Sequence, residues 1–189
     1  MARIPYINKD NATQEVAKLF AKMEAHGADV LNLWKMAAHS PATLIHLVRL
    51  GSAILSKTEL DSKLREIAIL RVAEILGCAY ERKAHTIFGK AVGMTDEQVV
   101  SIKDWESSSV FSAAERVVLR YTDELTKNGK ASQNTFSELE KHLSHQEMME
   151  LTITTGYYGM LARLLLTFEV DLEGNKLTSP SQIIGRSSD

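Results

Sequence analysis

Signals that begin and end α-helices recur along this chain at helical intervals, and they leave little room for another architecture. Thr95…Gln98, Ser112…Glu115 and Ser144…Glu147 are spaced as capping boxes, in which side chains satisfy the free amides of a helix start. Asn11 is placed to cap a helix reaching about Ala25, with Gln14 at its third position and Gly27 after its end. A short helix is expected over 29–38. Ser40-Pro41 then reads as an N-cap followed by proline at the first helical position. The helix it opens carries an apolar stripe of Leu44, Leu47, Val48, Leu50, Ile54 and Leu55.

Asp61 or Ser62 opens the next helix, with Leu64, Ile67, Ala68, Leu70, Ala73, Ile75 and Leu76 as its apolar positions. Gly77 interrupts this pattern. A helix resumes from Cys78 to about Val92 and stops at Gly93. Another is expected from Ser132 to about His142, with Phe136 and Leu139 on its buried side. The last runs from Glu147 to near Phe168, and the polar tail 174–189 reads as loop. No stretch alternates polar and β-branched residues long enough to make a strand. The expectation is one all-α domain over 1–189, with eight or nine helices and short loops that pack neighbours antiparallel. Arg65–Leu70 faintly echoes Gln146–Leu151, a weak trace of duplication.

Charge narrows the functional classes. The formal net charge is -2, which supplies no basic footprint for nucleic acid. No apolar run approaches the length needed to span a bilayer, so no membrane partner is expected. Residues 1–10 lack the apolar stretch of a signal peptide. Cys78 is the only cysteine, so no intrachain disulfide can form, and a reducing, cytoplasmic compartment is the plain reading.

The chemistry concentrates in Cys78-Ala-Tyr-Glu81-Arg-Lys-Ala-His85. Offsets of three, four and seven fall on one helix face, so a thiol, a carboxylate and an imidazole can meet. Such groups transfer protons or attack electrophiles without a cofactor. Glu66 lies twelve residues before Cys78, ~18 Å away on an unbroken helix. A reversal at Gly77 would bring it back, because glycine tolerates the backbone angles required. Glu66 could then orient His85 or hold a proton. Cys78 would open the second helix, where the dipole favours a thiolate and lowers the thiol pKa. The bland alternative is a small core cysteine beside a surface Glu–His pair.

Other candidates are weaker. His142 and His145 are spaced for a metal but lack a third ligand nearby. His39 precedes the Ser-Pro cap and can face core, pocket or solvent. Tyr157 and Tyr158 lie beside Gly156, and one of them can face a pocket, although core packing is the ordinary use. The methionines and Trp34 read as core or interface. No phosphate-binding glycine loop and no GxSxG element occur. No metal or cofactor is expected.

Ala38-His39-Ser40-Pro41, Leu64-Arg65-Glu66-Ile67-Ala68-Ile69-Leu70-Arg71-Val72-Ala73 and the Cys78–His85 motif together resemble the carboxymuconolactone decarboxylase family, which includes the alkylhydroperoxidase D-like proteins. Phe111–Leu125 and Gly156–Arg163 resemble its longer members, and the likeness covers most of 30–172. It implies an all-α helical bundle of the alkylhydroperoxidase D-like type and a homo-oligomer, such as a trimer or hexamer. The family's peroxidase branch carries a glutamate, a Cys-x-x-Cys pair and a histidine. By resemblance these fall on Glu66, Cys78 and His85, with the second cysteine replaced by Glu81. An intramolecular dithiol cycle is therefore excluded, and a peroxidase of this kind needs an external thiol reductant.

Glutamate at position 81 is familiar from the decarboxylase branch, which removes carbon dioxide from a small lactone acid. The leading expectation is a cofactor-free lyase acting on a small, anionic organic molecule. In it His85 moves the proton, Glu81 and Glu66 tune or share it, and Cys78 lines the pocket or acts as a secondary acid. The rivals are a single-cysteine alkylhydroperoxidase or peroxiredoxin-like protein and a non-catalytic oligomeric binding protein.

Overall fold

Burial around the whole circumference of one helix organises the part of the chain that carries the motif. A computed structural model describes residues 1–173, and among these are nine α-helices and no strand. The chain divides into two compact units, Met1–Lys57 with the segment from Leu164 onward, and Thr58–Arg163. The tail expectation for 174–189 lies outside the described residues.

The first unit holds α1 (Gln14–Ala25), α2 (Asn32–Ala37) and α3 (Pro41–Ser56). Thr13, not Asn11, caps α1, its hydroxyl accepting from the Val16 amide at 3.4 Å. Asn11 is used one turn earlier, where its side chain accepts from the Asn8 amide at 2.6 Å. A side chain with two nearby amides to choose from is a poor guide to the first residue of a helix. Pro41 opens α3 as expected, and Leu44 and Ile54 are buried while Leu50 is exposed. The N-terminal segment is tied down within this unit. Arg3 donates its amide to the Phe168 carbonyl at 2.9 Å, and the Tyr6 hydroxyl meets Asp171 at 3.0 Å.

The second unit holds α4 (Ser62–Leu76), α5 (Ala79–Ala91), α6 (Asp96–Ser101), α7 (Ala113–Asn128), α8 (Gln133–Leu139) and most of α9 (His145–Thr167). Asp61 caps α4, accepting from the Lys63 and Leu64 amides at 2.9 and 3.0 Å. Every residue from Arg65 to Ala73 is buried. A helix enclosed on all sides is apolar wherever its neighbours are apolar. Ile67, Ala68 and Leu70 pack with Val118, Leu119 and Leu151 in one core.

Three polar residues within this stretch therefore need partners inside the protein. Arg71 uses four of its five donors. It grips both oxygens of Asp123 on α7 and gives Nη1 to the carbonyls of Ile102 and Lys103 at 2.8 Å. The other two, Arg65 and Glu66, belong to the site.

The capping boxes at Thr95 and Ser112 form with both reciprocal hydrogen bonds. At the start of α9 the Ser144 amide donates to Glu147, and the Glu147 amide to the Ser144 hydroxyl. Phe136 departs from expectation: it is 39% exposed, while Leu139 is sealed in the core. The buried stripe of α8 runs through Thr135 and Leu139, four residues apart, which turns Phe136 toward solvent.

Candidate active site

Gly77 makes the reversal that the site requires. It takes φ 68° and ψ 28°, the left-handed region where a side chain would be strained. The Cys78 amide donates to the Ala73 carbonyl at 2.8 Å and the Gly77 amide to Glu74 at 3.2 Å. This is the double hydrogen bond of a Schellman ending. Cys78 then serves as N-cap of α5, and Arg82 on α5 pairs with Glu74 on α4, strapping the two helices together.

This fold-back brings Glu66 of α4 against His85 of α5. Glu66 is completely buried, and its Oε2 lies 2.7 Å from His85 Nδ1. Its other oxygen accepts from Arg65 Nε at 3.2 Å. On the far side of the imidazole, Nε2 lies 3.4 Å from Glu81 Oε2, one helical turn back. The second Glu81 oxygen, Oε1, is buried without a hydrogen-bond partner. Two carboxyl groups thus bracket one imidazole. A carboxylate facing Nδ1 keeps a proton there, so Nε2 is the nitrogen that exchanges protons with Glu81.

Aromatic rings hold the imidazole from other directions. Phe88 stacks on it at 5.1 Å with an interplanar angle of 21°, and Tyr158 of α9 meets it edge-on at 4.7 Å and 82°. Tyr157 in turn packs edge-on against Tyr158 at 5.3 Å.

The dry setting governs the protonation states. Burial pushes the Glu81 carboxyl up to about 7; the neighbouring His85 pulls the other way, and Glu66 adds to the rise. Burial works against the His85 cation, but the Glu66 carboxylate and then Glu81 outweigh it, and the imidazole pKa is raised. Burial also raises the Tyr158 phenol well above its ordinary value, so it is a neutral hydroxyl.

Cys78 corrects a sequence expectation. It does open a helix, yet its pKa is raised, because burial outweighs the favourable amides of Glu81 and Tyr80 and the Glu81 charge adds to the rise. The resting side chain is a thiol, not a dipole-stabilised thiolate.

All four residues expected from the sequence, Glu66, Cys78, Glu81 and His85, are buried around this reversal. Elsewhere the weaker candidates disperse. His145 is exposed and faces Glu140 at 3.4 Å, and His39 Nε2 contacts the Pro5 carbonyl at 2.7 Å. Arg65 and Phe88 were not foreseen. A clue to Arg65 was present: an arginine inside an apolar run, directly before a glutamate, is a charge that packing must answer.

Comparison with known proteins agrees with this architecture. Residues 41–124 match the carboxymuconolactone decarboxylase family. The uncharacterized protein YdfG of Bacillus subtilis is 18% identical over 99 residues, covering 51% of this chain and 67% of YdfG. Among solved structures, the alkylhydroperoxidase AhpD core of an uncharacterized peroxidase-related protein from Ralstonia eutropha superposes with a TM-score of 0.79. It shares 14% identity and covers 92% of this chain and 93% of its own. A cysteine-to-alanine variant of the debrominase Bmp8, in complex with 2,3,4-tribromopyrrole, superposes with a TM-score of 0.73. It also shares 14% identity, covering 92% of this chain and 95% of its own.

Proposed function

We propose that this chain, whose residues 41–124 match the carboxymuconolactone decarboxylase family and whose fold resembles that of an AhpD core, is a cofactor-free acid–base enzyme of the lyase type, acting on a small anionic organic molecule. One observation carries the reading. Glu81 is a buried carboxyl with a pKa of about 7, one oxygen beside His85 Nε2 and the other without a partner. A group that titrates near the working pH exchanges protons with least loss of either form. An unpartnered oxygen in a dry site is free to meet a substrate proton.

The roles follow from the contacts. Glu66 holds the imidazole by Nδ1 and stabilises its cation. His85 moves the proton at Nε2. Glu81 shares that proton and returns it. Cys78 lines the same space as a neutral thiol. In a decarboxylation the bond to the departing carboxyl group breaks, and carbon dioxide leaves. Its electron pair delocalises into a conjugated carbonyl, and His85 delivers a proton to the carbon. A water-poor enclosure strengthens each electrostatic contact and protects the carbanionic intermediate.

The test is a screen of small lactone acids for carbon dioxide release, comparing the wild-type protein with folded His85→Gln. The reading expects turnover that falls by about 10²–10⁴-fold in the variant. Equal turnover by the variant would remove His85 from the mechanism.

A second reading rests on Cys78 standing at the start of α5, where the backbone amides of Glu81 and Tyr80 favour its thiolate. With Glu81 as base, the thiolate would attack a peroxide. A sulfur–oxygen bond forms, the oxygen–oxygen bond breaks, and the leaving oxygen takes the proton. An external thiol would then reduce the sulfenic acid, being oxidised to a disulfide in a second exchange. The AhpD and debrominase likenesses lend this reading support. It predicts that peroxide adds one oxygen to Cys78, read by intact mass.

We further take the protein to be a homo-oligomer. Met149, Ile153 and Met160 are exposed along α9, spaced as neighbours on one helix face. Sedimentation as a monomer at micromolar concentration would contradict this.

A further inference from the structure

Arg65 is the buried arginine that uses fewest of its donors among the described residues. Only 6% exposed, it uses a single donor: Nε, to Glu66 Oε1 at 3.2 Å. No other hydrogen bond or ion pair engages its two η-nitrogens. The chain's other enclosed arginines behave differently. Arg71 fills its fork with Asp123 and two carbonyls. Arg116, half-buried, gives its η-nitrogens to the carbonyls of Trp105, Glu106 and Ser108. A guanidinium carries five N–H donors and cannot shed its charge. The η-nitrogens of Arg65 are not among the buried polar atoms that lack a partner, so solvent reaches them, and an anion could replace that water.

The location says what should arrive. The same Glu66 carboxylate binds Arg65 through one oxygen and His85 through the other. An anion seated on the free η edge would therefore be linked to the imidazole through that one carboxylate. The charge of Arg65 is felt at both His85 and Tyr158. We infer that the free edge of Arg65 is the binding site for a carboxylate of the substrate, held by two parallel N–H···O bonds beside the Glu66–His85 couple.

The planar fork matches a carboxylate in two contacts, whereas a neutral amide offers one acceptor and an unwanted donor pair. The carboxylate held here is not one that leaves. A guanidinium pair stabilises the charged group and would oppose its departure as neutral carbon dioxide. This assignment of substrate class rests on the acid–base reading above, but its test needs no turnover.

Acetate and benzoate serve as probes, with acetamide and benzamide as their neutral counterparts and inorganic phosphate as a rival anion. Binding to the full-length protein is measured by ligand-observed NMR and calorimetry in low chloride. Benzoate or acetate is expected to bind saturably, and at least about tenfold more tightly than its amide. Folded Arg65→Gln should lose that preference, and Arg65→Lys should recover part of it. His85→Gln should still bind the carboxylate. That outcome separates the two readings, because a failure of catalysis then leaves the anion site standing. Equal binding of acid and amide would overturn the assignment. So would unchanged benzoate binding by folded Arg65→Gln, tighter binding of phosphate than of either carboxylate, or no carboxylate binding at about 10 mM. If Arg65→Gln does not fold, the acid-against-amide comparison on the wild-type protein decides.

Discussion

Glu66 Oε2 stands 2.7 Å from His85 Nδ1, across the reversal that joins α4 to α5. Glu66→Gln keeps the shape but removes the charge that sustains the imidazolium. The His85 pKa should fall, as followed by the imidazole resonances in an NMR titration. Proton-transfer activity should drop by about 10–100-fold. An unchanged His85 titration would show that Glu66 does not govern the imidazole.

Stability should decrease as pH rises through neutrality. The Glu81 carboxyl has a folded pKa raised to about 7, against an unfolded reference near 4.3. Between those values the folded protein keeps a proton that the unfolded chain has lost. The stabilisation is complete below the unfolded pKa and is lost as pH rises through about 7. His85, also raised, has the same sign above its reference of about 6.5. Urea unfolding at pH 5, 6.5 and 8 should show the decline. Glu81→Gln should flatten it and stabilise the protein at pH 8 by about 1–3 kcal/mol. A variant with the wild-type pH slope would contradict the assignment.

Cys78 should react slowly with iodoacetamide at pH 7 and faster as pH climbs beyond the ordinary thiol range, because burial raises its pKa. Intact mass against time, at pH 6 to 10, supplies the measurement. Rapid alkylation at pH 6 would instead reveal an activated thiolate and favour peroxide chemistry.

The Arg71–Asp123 pair is the main buried ionic tie between α4 and α7. Arg71→Met leaves Asp123 enclosed with only Lys127 nearby, and should cost about 3–5 kcal/mol in urea unfolding. Pairing it with Asp123→Leu should recover much of that loss, since two apolar side chains remove the stranded charge. A double variant as unstable as the sum of both singles would show no coupling.

Helix punctuation was legible wherever a cap and a breaker stood alone. Gly77, Pro41 and the boxes at Thr95, Ser112 and Ser144 all act locally, and each ends or begins a helix where its spacing indicates. Asn11 misled because its side chain accepts from the Asn8 amide one turn earlier, which leaves Thr13 to cap the helix. The site residues were legible for the same local reason, since one helix face and one reversal gather them. Their charges were not. The Cys78 thiol answers to enclosure by packing, which a helix-start argument ignores. The ring that closes on His85 comes from Tyr158, and no spacing rule reaches from 85 to 158. Arg65 escaped notice because an idle donor is visible only once every possible partner has been placed.

The turn at Gly77 has a kinetic consequence. Glu66 and His85 are only 19 residues apart in sequence, so bringing them together closes a short loop at small entropic cost. Hairpins of adjacent helices depend on such near-neighbour contacts and form early compared with long-range pairings. The acid–base couple can therefore assemble before the distant segment bearing Tyr158 arrives. In a lineage of such proteins, the late-arriving walls can be exchanged while the couple they enclose persists, so that new substrates require new surroundings and not a new proton carrier.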